Sequence, residues 1–183
     1  MKFRIKNSDI TLKIIGYYEI IGGILGIGLS CWLLLRTEKI NGPVLFIFLL
    51  AFFLYSFSIQ SGNLLLQKSK IQKGIIFSSI LQILQLFAIG LGNYSYEFYS
   101  GAKGTIGFIF GQGFKFDLNA AISSFNITIN SGDNDYFFKI NIVVNIILSI
   151  LIDIFQEKNR KQQESSISEN TDNRIIESEL QDQ

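Results

Sequence analysis

The chain has 183 residues, of which 48% are hydrophobic and only 17% charged, with a net charge of +1. A composition so apolar points to the membrane class, and so small a net charge excludes a global basic field for nucleic acid. There is no histidine and only one cysteine, Cys31. This excludes His-based acid–base catalysis, Ser-His triads, His-ligated metals, an internal disulfide and Cys-cluster sites.

The first predicted element after a basic start (Lys2, Arg4, Lys6, Lys13) is an apolar span over residues 14–35. It is long, contains Glu19 and lacks a small-residue cleavage site, so it reads as a retained helix and not as a signal peptide. A second span follows over residues 43–66, opened by Pro43 at a first-turn position. A third is read over about 71–91 and a fourth over about 137–155, with Lys139 able to snorkel. Each run is close to the ~20 residues that cross about 30 Å of hydrocarbon.

Counting Lys and Arg in the flanks places ten on the side of the termini and the 66–71 loop, and five on the other. The basic side is expected to be cytoplasmic, so both termini lie inside.

Between the third and fourth spans, period-2 alternation recurs four times: Tyr94/Tyr96/Phe98, Ile106/Phe108/Phe110, Phe114/Phe116/Leu118 and Phe125/Ile127/Ile129. Glycine-rich turns separate the first three, at Ser100 to Gly104 and at Gly111-Gln112-Gly113. This predicts an antiparallel meander of about four strands with one apolar face. Thr105-Ile106-Gly107-Phe108 looks similar to the start of a potassium-channel filter, but Ile109 stands where that string needs glycine, so it reads as strand.

The fold expected is thus a membrane all-α four-helix bundle with a small extracytoplasmic antiparallel β-meander between helices 3 and 4. Its parts are residues 1–92 (basic segment and three helices), 93–136 (β-rich loop), 137–155 (fourth helix) and 156–183 (a disordered cytoplasmic tail).

Function is hinted at only by polar stripes within the spans. Glu19 adjoins a Gly22/Gly26/Ser30 row. Ser56, Gln60 and Asn63 fall at i, i+4 and i+7, as do Ser78, Gln82 and Gln85, while Asn141, Asn145, Ser149 and Asp153 repeat every four residues. Such spacing puts each set on one helical face, and polar groups in hydrocarbon must find partners. Two readings stay open: helix association in a structural, assembly or interaction protein, or a polar path in a small transporter or channel. No catalytic, cofactor-binding or metal-ligating set is expected, and the chain does not read as an enzyme. The expected partners are the lipid bilayer and a second copy or another membrane protein. The expected place is a bacterial inner membrane, crossed several times.

Overall fold

The computed structural model describes residues 8–111, 113–129 and 136–181. The basic residues Lys2, Arg4 and Lys6, the centre of the Gly111-Gln112-Gly113 turn and the turn from Ser131 to Asp135 lie outside the described residues.

Two long helices come first, α1 (Ser8–Arg36) and α2 (Gly42–Leu66). The sharp start of α2 has a local cause: the Val44 N–H donates to Asn41 Oδ1 at 3.0 Å, and Pro43 occupies the first turn, where its missing N–H costs nothing. The pair packs closely because small residues face each other. A Cβ added to Gly16 would lie 2.9 Å from the Gly62 carbonyl oxygen, and Gly26 sits directly against the ring of Tyr55. By length and composition these two helices are long and apolar enough to cross a membrane, and they are the only ones among the described residues.

A short 3-10 turn (Lys68–Lys70) leads into α3 (Ile71–Leu86), which passes without a break into strand β1 (Phe87–Leu91). A tight turn with Gly92 at φ 58° joins β1 to the long strand β2 (Tyr94–Phe110), which pairs along its length with β3 (Phe114–Ile129). Strand β4 (Tyr136–Asn141) then runs directly into α4 (Ile142–Gln181). The sheet is antiparallel in the order β1-β4-β2-β3, and the first residues of β2 also pair with β1.

This overturns the expected bundle with an inserted meander. The run 71–91 is part helix and part strand: α3 has 16 residues, about 24 Å, short of the ~30 Å a span requires. The run 137–155 likewise begins in β4, leaving about 21 Å of apolar helix over residues 142–155. Short apolar runs do not distinguish buried strand from buried helix by periodicity, and hydropathy registers both alike. The strand order is not that of a meander either. The four predicted strands are the halves of two long ones, and β1 and all of β4 but Tyr136 come from residues assigned to helices. The glycines at 101 and 104 do not end a strand: Gly101 (φ 98°) sits in a bulge where the β2–β3 register shifts. The Thr105–Phe108 string is strand, within β2. Beyond residue 155 the backbone continues as helix to Gln181, through the stretch expected as a tail.

Two apolar cores result. One joins Leu12, Ile15, Leu65, Ile75, Leu151 and Ile154 from all four helices. The other sets Ala51, Leu54, Tyr55 and Leu81 against Phe98 of the sheet. Along α1, α2 and α3, a layer of buried polar residues falls between them.

Candidate functional site

The polar layer is centred on Glu19, which is fully buried. It rises from α1 one turn beyond Ile15 and faces α3, whose residues Ser78, Gln82 and Gln85 share one face because their spacing is four and three. Ser78 Oγ donates to Glu19 Oε1, and Gln82 Nε2 donates to the same oxygen at 2.9 Å.

The other elements join through hydroxyls. Ser58 of α2 donates to the Glu19 backbone carbonyl at 2.9 Å, and its Oγ lies 2.8 Å from Ser100 Oγ of β2. Since the one Ser58 proton is used on Glu19, Ser100 is the donor in that pair. The Ser100 N–H in turn donates to Gln85 Oε1 at 2.8 Å. One network therefore ties α1, α2, α3 and β2. Three of its buried atoms have no hydrogen-bond partner among the described residues: Glu19 Oε2, Gln82 Oε1 and Gln85 Nε2.

Of the predicted stripes, the structure brings together Glu19, Ser78, Gln82 and Gln85. It turns Ser56, Gln60 and Asn63 to the outside of α2, and Asn145 is exposed as well. Asn141 is buried, but as a cap: its Oδ1 accepts from the N–H groups of Val143, Val144 and Gly104 at 3.1, 3.5 and 3.3 Å, fastening the start of α4 to β2. Ser149 bonds back to the Asn145 carbonyl at 2.9 Å, and Asp153 is half-buried. Ser58, Ser61, Ser100 and Ser123 were missed. The signal for the α2 serines was size: with Ala51 and Gly62 they form the small-residue face that the α1 glycines require.

The second feature is a face of the sheet. The register places Leu118, Ile106, Ile140 and Phe87 in one row across β3, β2, β4 and β1. Phe116, Phe108, Phe138 and Ile89 form the next, and Phe114, Phe110, Tyr136 and Leu91 the third. All twelve are apolar or aromatic. Ten are exposed, from 37% at Ile89 to 66% at Leu118. Ring contacts run through the array, such as Phe108 to Phe114 at 5.3 Å and Phe87 to Phe138 at 5.6 Å. The opposite face carries the charge: Lys139 pairs with Asp117 at 2.7 Å across Gly107, which leaves room for the bridge. Lys139 is thus tied to the sheet and does not act as the snorkelling start of a span.

A third feature is an apolar groove of about 580 Å³ between α3 and α4, with Ile76, Ile80 and Ile152 along it and Arg160 at one end.

No protein-family model, curated protein or solved structure matches the chain.

Proposed function

We propose that the chain is a multi-pass membrane protein with both termini cytoplasmic and an interaction or assembly role, and that the three-row apolar face of the sheet is its partner surface. The membrane reading is supported by α1 and α2: only 28% and 22% of their most apolar windows are buried, whereas the core helix of a soluble protein is mostly covered. The exposed Lys68, Lys70 and Lys73 at the α2–α3 turn support a cytoplasmic turn and, with it, cytoplasmic ends.

The observation that carries the role is the uncovered face itself. Contiguous apolar surface of this kind marks contact with protein or membrane. Each side chain of this size gains roughly 1.5–3 kcal/mol on full burial. The Lys139–Asp117 pair on the opposite face gives the sheet a defined outer and inner side. A small-solute path remains the second reading, supported by the buried polar layer of Glu19, Ser58, Ser78, Gln82 and Gln85 between the helices.

The test is photo-crosslinking in intact cells from Phe108, Phe116 and Phe138. Discrete protein adducts, lost on Phe116→Lys in folded protein, are the expected result. Adducts confined to lipid, or none at all, overturn the role.

A further inference from the structure

We propose that Glu19 carries a proton and is joined to Gln82 as a neutral acid–amide pair, so that the helix core holds a proton-binding site. The inference is independent of the partner surface and rests on where the donors go. Oε1 of Glu19 receives both available donors, Ser78 Oγ and Gln82 Nε2, the latter at 2.9 Å. Oε2 receives none, and neither does Gln82 Oε1, although both are buried. In the ionised form both atoms are pure acceptors and cannot satisfy each other. One proton on Oε2 changes this. Oε2–H becomes a donor, and the acceptor it lacks belongs to the amide that already donates to Oε1. The second bond closes a ring in which carboxyl and amide each give one hydrogen and take one, and both orphaned atoms are satisfied together.

The surroundings favour the neutral form. Glu19 takes no part in the ion pairs Lys103–Glu97, Lys139–Asp117 and Arg160–Glu164. The groups facing the layer are neutral polar residues on α3, Tyr55 and Ser58 on α2, and Tyr99 and Ser100 on β2, where the nearby charges Glu97 and Lys103 neutralise each other. On α1 itself, Tyr18 commits its hydroxyl proton to the Ala102 carbonyl at 2.9 Å. An isolated buried carboxylate is far costlier than a protonated one with its hydrogen bonds made.

The test is infrared spectroscopy of the purified, folded protein in an ester-free alkyl glycoside detergent at neutral pH, where neither the medium nor ionised carboxylates absorb in the protonated-carboxyl carbonyl region. A protonated-carboxyl band is expected, absent in Glu19→Gln, whose amide reproduces both bonds and leaves the melting temperature unchanged. Gln82→Leu keeps the acid but removes its partner, so the band shifts to higher frequency. Absence of the band in the wild-type protein overturns the proposal without any variant. So does a band that survives Glu19→Gln, or one that Gln82→Leu leaves unmoved.

Discussion

Ser123 donates its hydroxyl to the Gly22 carbonyl at 3.2 Å, linking the edge strand of the sheet to the middle of the first helix across 101 residues of sequence. The same oxygen accepts the Gly101 N–H at 2.9 Å, and Ser123 adopts a positive φ of 42° to reach this position. One hydroxyl therefore anchors α1, the β2 bulge and β3.

Ser123→Ala leaves a buried N–H and a buried carbonyl without their partner. A loss of about 1–3 kcal/mol is expected. Chemical denaturation in detergent measures it, and an unchanged midpoint would show the bridge to be idle.

Gly22 and Gly28 lie on one helix and respond in opposite directions. A Cβ at Gly22 would sit 2.5 Å from the Gly101 nitrogen, backbone against backbone, whereas one at Gly28 meets nothing within 4 Å. Gly22→Ala is expected to lose about 1–3 kcal/mol through overpacking. Gly28→Ala gains roughly 0.5–1 kcal/mol from helix propensity. Paired thermal melts test the contrast.

Asn141→Ala removes the oxygen that receives three N–H groups at the β4–α4 junction. The expected cost is about 1–2 kcal/mol, and Asn141→Asp restores most of it because an aspartate oxygen caps equally well. Similar losses in both variants would locate the effect outside the cap.

Tyr99 is buried and its hydroxyl has no partner among the described residues. Burial, with the Glu97 carboxylate nearby, pushes its phenol above the ordinary 10.0. Because the folded form binds the proton more tightly than the unfolded chain, this contribution is complete below pH 10.0 and is lost as pH rises above it. Tyr99→Phe is expected to leave stability at neutral pH unchanged or higher, and to flatten its alkaline decline. Melting curves on both sides of pH 10.0 decide the matter.

Much of the local structure can be read from residues. Pro43 and Asn41 mark the start of α2, and the alternation from Tyr94 to Ile129 appears as strand. The spacing of Ser78, Gln82 and Gln85 gives one polar face, but that Glu19 is its partner comes only from the packing of α1 against α3. What fails is any decision that depends on distant sequence. Nothing between Leu86 and Phe87 announces the change from helix to strand; it is imposed by pairing with β4, where Phe87 meets Ile140. The stripe Ser56/Gln60/Asn63 has the right period, but α2 turns its small residues inward because α1 presents glycines. Close approach of two backbones outweighed side-chain polarity in choosing the face.

The union of helix and strand in one apolar run constrains the order of assembly. The α1–α2 hairpin is complete by residue 66, yet Glu19 acquires its side-chain donors only when Ser78 and Gln82 have been synthesised. β1 then waits until residues 136–141 exist to supply its β4 partner. Until then its unpaired edge is exposed to whatever surrounds it. Such distant pairing is slow to form and open to wrong partners in the meantime. The hazard falls on the nascent chain: a ribosome paused between β3 and β4 would hold a molecule whose helices can dock while β1 still lacks its main neighbour.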